Sequence, residues 1–459
     1  MADIHRDCRG LALTAASPEA VEAWDRTVRS YLGMRRDTGD RLKEAYAADA
    51  DMAMAHCLRG YFMLLFSEAG RWSAGRKSLA KAQQAAADRP VTGRESAHIA
   101  ALERWADGDM AGATALWDGI LTDHPLDLLA MRLAHYTHFY SGDSTAMRDS
   151  LARIMHAWDP TVPDYGFVAG CYAFALEEDG DYARAEQRGR EAVGINPDDP
   201  WGTHAVAHVM EMQGRQAEGI AWLSGLEPHW SQVQNFRFHL WWHRALFHFE
   251  LGDFDAVLDL YDRGVREEES ADYLDLTNAV ALLWRLESEG VDVGDRWAEV
   301  AGHCAEHATD LLLAFVDAHY AVAIARTGDS TAVAAHRAGI GEAARADGSQ
   351  APVYRDVAAP LCEAAAAYYT GDYGRAADLL DGVRYELRRI GGSHAQRDLF
   401  VQMQIEATIR AGRTARAKAL IAERAERRPT SAWTRRRFAA LFDESDGPAG
   451  QRAGAPAQG

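Results

Sequence analysis

Apolar positions recur with helical spacing along most of the chain, in alanine-rich stretches that read as amphipathic helices. No stretch sustains the period-two alternation of β-branched residues that a strand needs. The helical text is broken by short turns that begin with glycine: Gly70, Gly108, Gly142, Gly180, Gly214, Gly252, Gly290, Gly328, Gly371 and Gly412. Their intervals are 38, 34, 38, 34, 38, 38, 38, 43 and 41 residues. A recurrence of this length marks an architecture of stacked repeats. Most turns continue with an acid or an aromatic residue, as in Gly180-Asp181-Tyr182, Gly252-Asp253-Phe254 and Gly371-Asp372-Tyr373. Glycine takes the left-handed conformation that ends one helix, and aspartate caps the next. Each glycine is therefore expected between two antiparallel helices.

Five residues after the glycine stands a small residue (Ala113, Ala185, Gly219, Ala376, Ala417) that lets paired helices approach closely. Pro125, Pro197 and Pro429 follow their glycines by 17 residues and end the second helix. The stretch Gly180 to Pro197 has the spacing of the tetratricopeptide repeat, although alternation between 34 and 38 departs from that family's regular unit. The expected fold is all-α, a right-handed solenoid of about ten tetratricopeptide-like helix pairs, open to closure into a horseshoe. Residues 1–20 read as an N-terminal segment, 21–442 as the solenoid with a possible subdomain break near 345, and 443–459 as a disordered tail.

The segments WGTHAVAHVMEMQGR (201–215), HLWWHRALFHFELGDFDAVLDLYD (239–262), GVDVGDRW (290–297) and GSHAQRD (392–398) resemble the tetratricopeptide repeat protein 38 family. The resemblance covers roughly Trp24 to Arg428. It implies a tetratricopeptide-like fold and no particular reaction.

The formal net charge is −19, which disfavours nucleic acid and anionic membranes as partners. Five widely spaced cysteines without CxxC pairs fit reduced, buried thiols. No apolar run approaches the length of a membrane span, and Met1 to Gly10 lacks a signal-peptide core, so a cytoplasmic location is expected. Phosphate loops, GxGxxG after a strand and GxSxG elbows are absent.

The candidate chemistry is histidine. Ten of the 18 histidines lie within 14 residues upstream of a turn glycine, on the first helix of a unit. In the tetratricopeptide register the concave face takes positions 13, 10, 6 and 3 residues before the glycine. His239 holds the first of these; His98, Arg132, His204, Trp242 and Gln402 the second; His208 and Glu406 the third. His204 and His208 are four apart, as are His239 and His243, so each pair shares a helix face. These residues are expected to line a groove that binds a peptide or small-molecule ligand. The alternative is an enzyme, for example a hydrolase or lyase acting on a small molecule, with His204, His208, His239 and His243 as acid–base groups or metal ligands. No carboxylate completes a zinc pattern such as HExxH, so no cofactor is assigned, zinc or another transition metal being the weaker reading. Glu177 and Glu178 sit at an inward position near the Gly180 turn but, as paired acids at a helix end, read as a solvated face; His394, Arg397 and Asp398 read as a helix cap, with a reach across the mouth of the groove as the alternative.

Overall fold

The computed structural model describes residues 4–443, and segment 444–459 of the expected tail lies outside them. Nine of the ten turn glycines, from Gly108 to Gly412, take a positive φ between 67° and 88°. Gly70 does not: it sits inside the helix Ala69–Asp88, and Ser67 makes the left-handed turn in its place at φ 47°. The aspartates behave as caps. Asp109, Asp143, Asp181, Asp329 and Asp372 each accept a backbone N–H from the first turn of the following helix. Pro125, Pro197 and Pro429 fall just beyond the ends of Met110–Asp123, Tyr182–Ile195 and Thr414–Arg427.

The result is an all-α solenoid of antiparallel helix pairs. The strands among the described residues are Ile4–Arg6 and Ala12–Thr14, which form an antiparallel hairpin within the N-terminal segment. The helix Pro18–Leu32 follows, capped by Ser17. No described helix is long and apolar enough to cross a membrane. The five cysteines are unpaired; Cys57, Cys171, Cys304 and Cys362 are buried, whereas Cys8 is exposed. Two apolar core clusters meet inside the helix Phe236–Leu251, where Phe247 belongs to one and Trp242 to the other.

The solenoid curls until distant units touch. The backbone N–H of Ser349 bonds to the carbonyl of Gly108. The carbonyl of Met34 accepts from Gln234, and Arg35 bridges Val233. Glu250 accepts from the backbone of Ala432 and Trp433 and from the Ser431 hydroxyl, holding the start of the last helix, Ala432–Asp443. Arg428 reaches Glu211 at 3.4 Å. These contacts set the C-terminal helices His394–Arg410 and Ala432–Asp443 against Pro200–Gln213, Phe236–Leu251 and Tyr273–Ser288. The chain's own C-terminal units thus pack against the first helices of its central units.

Candidate functional site

Four first helices stand side by side: Tyr165–Glu178, Pro200–Gln213, Phe236–Leu251 and Tyr273–Ser288. The second begins with Asp199 as cap and Pro200 in its first turn, a combination suited to helix entry. Gly214 and Gly252 end the second and third in the left-handed conformation. That phasing turns His204 and His208 toward His239 and His243. The side chains of all four are buried, none more than 3% exposed.

Their Nε2 atoms converge. His208 lies 2.8 Å from His204, His204 lies 3.0 Å from His239, and His239 lies 3.2 Å from His243, each distance Nε2 to Nε2. One donor nitrogen from each ring fits within a 4.8 Å span, a set that a single metal ion could share. Away from the centre, Nδ1 of His243 meets a Glu211 carboxylate oxygen at 3.0 Å. Nδ1 of His239 meets the Asn278 side-chain oxygen at 3.1 Å. Nδ1 of His208 faces Glu177 at 3.6 Å, and Nδ1 of His204 has no hydrogen-bond partner.

Burial and the neighbouring imidazoles hold His204, His208 and His239 well below the ordinary histidine range. Burial pushes Glu177 well above the carboxylate range, with Glu178 and Glu211 adding to the shift. Burial works the same way on Glu211, but the hydrogen bond and charge of His243, with Arg428, bring it below its usual value.

A cavity of about 440 Å³ opens beside the cluster, and His204 and His239 line it. Its walls are aromatic: Tyr31 and Phe62 from the N-terminal units, Tyr136 and Tyr140, Trp201 and Phe236, and Tyr273. The hydroxyls of Tyr140 and Tyr273 hydrogen-bond at 2.7 Å across 133 residues of sequence. Trp201 and Phe236 stack at 5.2 Å between ring centroids, and Trp201 donates its indole N–H to His135 at 3.1 Å. Asn235, Asp272 and Gln396 supply polar groups to the lining, and Arg35 and Arg36 basic ones.

The remaining candidates scatter. Trp242 is fully buried and stacks on His239, behind the cluster. Arg132 lies behind the cavity wall, its guanidinium 4.4 Å from the Trp201 ring centre and 4.8 Å from that of Tyr136, and it donates to Cys171 and to the Leu32 carbonyl. His98 belongs to another buried network, with Asp127 at 3.0 Å and Tyr61 at 3.3 Å. Gln402 donates to Asp398, and Glu406 pairs with Arg437, both in the C-terminal units. The repeat register puts these residues on equivalent helix faces, but the curl carries His98, Gln402 and Glu406 into different packing environments.

Two sequence expectations need correction. Glu177 and Glu178 are not a solvated helix end; they are 0% and 5% exposed. His394 and Arg397 do not cap their own helix, which Ser393 caps. They bind Glu178 instead, through the His394 backbone N–H at 3.0 Å and the Arg397 guanidinium at 3.3 Å. Asn278 and Glu211 escaped sequence reasoning. The available signal was their place on first helices, Glu211 three residues after His208 and Asn278 on the unit after His239.

No family model matches the chain. Among solved structures it is similar to the human IFIT1 dimer with PPP-AAAA, at 11% identity over 93% of this chain and 95% of that one, TM-score 0.41. It is similar to yeast Tom70, at 11% identity over 94% of this chain and 89% of that one, TM-score 0.36. The P58(IPK) TPR domain aligns over 62% of this chain and 82% of that one, at 12% identity and TM-score 0.21. The helix-pair architecture rests on the chain's own turns and caps.

Proposed function

We propose that the protein binds a small molecule with an apolar or aromatic body in the cavity between its N-terminal and central units, with the ligand's polar end toward His204 and His239. The carrying observation is the cavity itself, of about 440 Å³, aromatic along its walls and imidazole-lined at one side. Such a volume and a few convergent polar groups are typical of small-molecule sites. A peptide running along the first helices is disfavoured, because the C-terminal helices pack against three of them. The net charge of −19 argues against nucleic acid. Membership of the tetratricopeptide repeat protein 38 family, which the quoted segments favour, would add no reaction, so the reading stands on the cavity.

A second reading, as an enzyme, is favoured by the same two imidazoles facing the ligand space. Buried rings held neutral act as bases or metal ligands rather than as acids.

Binding of Nile red, an apolar fluorescent dye, tests the ligand reading. Saturable binding of about one dye per chain, weakened at least tenfold by Leu274→Trp at the cavity wall, is expected from the size match. Binding that does not saturate, or that ignores Leu274→Trp in a folded variant, overturns it.

A further inference from the structure

We infer that His204, His208, His239 and His243 form a binding site for one divalent transition-metal ion of the zinc, copper or nickel type.

A neutral imidazole carries a single N–H. The Nδ1 atoms of His239 and His243 face oxygen acceptors, Asn278 at 3.1 Å and Glu211 at 3.0 Å, so their protons belong on Nδ1. Both Nε2 atoms then carry lone pairs, and they point at each other across 3.2 Å. With both rings neutral and protonated in this way, that contact is not a hydrogen bond. His204 sits between His208 and His239, at 2.8 and 3.0 Å, and a proton on its Nε2 can serve only one of the two. If the proton is on His208 instead, the contact from His204 to His239 again joins two lone pairs. With His239 and His243 protonated on Nδ1, neutral rings satisfy at most one of the three contacts, and repulsion in the others would drive the rings apart. A cation at the centre satisfies all four nitrogens together.

The surroundings agree with a metal site. A metal-bound histidine usually donates its outer N–H to a carboxylate or amide oxygen, which fixes the ring and raises its basicity. Glu211 and Asn278 stand in those places, and Glu177 stands 3.6 Å from Nδ1 of His208. Both oxygens of Glu177 are buried without a hydrogen-bond partner, and a nearby cation would offset the cost of that burial. Imidazole nitrogens suit zinc, copper, nickel and iron, and an all-nitrogen set is unsuited to calcium or magnesium. A tetrahedral ion with metal–nitrogen bonds of about 2.05 Å needs nitrogens about 3.3 Å apart, so the three close contacts widen by a few tenths of an ångström on binding.

This inference rests on the cluster, not on the cavity having a ligand. Where both hold, the reading of the cavity deepens, because an ion beside His204 and His239 favours ligands whose polar end is a metal donor such as a carboxylate or a thiol.

The test uses the full chain. Protein from zinc-supplemented medium is expected to hold about one transition-metal ion per chain by elemental analysis, and chelator-treated protein to rebind about one Zn²⁺ by calorimetry. His208→Gln/His243→Gln is expected to weaken Zn²⁺ binding at least 100-fold, and Asn278→Ala about 10- to 100-fold, the usual effect of losing an outer hydrogen-bond partner. Absence of binding by the wild-type chain to Zn²⁺, Cu²⁺ and Ni²⁺ overturns the inference and identifies the cluster as a shared-proton network. Unchanged Zn²⁺ affinity in the folded double variant overturns it as well. If circular dichroism shows that variant unfolded, Co²⁺ added to the chelator-treated wild type decides. Intense visible absorption of a four- or five-coordinate ion supports the site, and the weak spectrum of a six-coordinate aquo ion overturns it. Nile red binding to the metal-free protein reports on the cavity separately, so either reading can fail alone.

Discussion

The indole of Trp242 lies nearly parallel to the His239 imidazole, 15° between planes and 5.2 Å between centroids, while its ring nitrogen has no hydrogen-bond partner. Trp242 thus acts on the cluster by shape, holding one ring from behind. Trp242→Ala is expected to cost about 3–5 kcal/mol, the usual effect of emptying a large aromatic site. Trp242→Phe keeps a stacking face and should cost less than half as much. Chemical denaturation of the three proteins checks the order; equal losses would mean that a phenyl ring restores nothing at this site and that the stack on His239 is without effect.

The Asp317 carboxyl accepts from the Tyr354 hydroxyl in a fully buried site, and burial pushes it up to about 7. Its pKa is raised above the unfolded value, so the folded chain keeps a proton that the unfolded chain has lost. The corresponding stability is present below about pH 4 and is lost as the pH rises toward 7. Asp317→Asn retains the acceptor without the charge. At pH 8 it should stabilise the fold by on the order of 1–4 kcal/mol, and it should flatten the pH dependence between 4 and 7. Melting temperatures of wild type and variant across that range are the measurement.

Burial holds His319 down at about 4, against a backbone hydrogen bond to Phe315 that works the other way. The sign reverses here. A histidine kept neutral contributes stability above pH 6.5 that is lost as the pH falls toward 4. His319→Gln should therefore lessen acid destabilisation between pH 6 and 4 relative to wild type. An unchanged acid limb in urea melts would contradict this.

Gly142 and Gly371 both take positive φ, 67° and 83°. A Cβ at Gly371 meets nothing, whereas one at Gly142 would overlap the Arg388 carbonyl from a distant unit. Gly371→Ala should cost about 1–2 kcal/mol, the left-handed penalty alone. Gly142→Ala should cost more, because the backbone at Arg388 must also move. Equal costs in urea unfolding would show that the curl is looser at this point.

Glu250 is nine-tenths buried and receives both backbone N–H groups at the start of Ala432–Asp443. Glu250→Ala should cost about 1–3 kcal/mol by leaving these donors unmet. It should also open the chain to trypsin near Arg428 and Arg435, which limited proteolysis would read directly.

The helix pairs were legible because their cause is local. A left-handed glycine, an aspartate cap and a small residue five positions later are all decided within one turn. The pairing of His204 and His208 with His239 and His243 was legible for the same reason, since neighbouring units share a phase. Glu177 misled the sequence reading because charge at a helix end is usually solvated, and the arginines whose charge favours its carboxylate, Arg397 and Arg428, lie more than 200 residues away. His98 and Gln402 misled it in the opposite direction: they have the right phase, but the curl gives each a different neighbour. The cavity was illegible throughout, because Tyr31, Tyr140 and Tyr273 meet only after the solenoid has curled.

An open solenoid is a spring, and it yields by small changes shared among all its units. The ties from Ser349 to Gly108, from Gln234 to Met34 and from Glu250 to the last helix make this one a hoop. A hoop does not stretch gradually; it gives way where a tie lets go. The tie from Gln234 to Met34 lies in the cavity wall itself, so a molecule wider than the cavity would have to part that bond to enter, and its rate of entry would follow the rate at which the hoop opens.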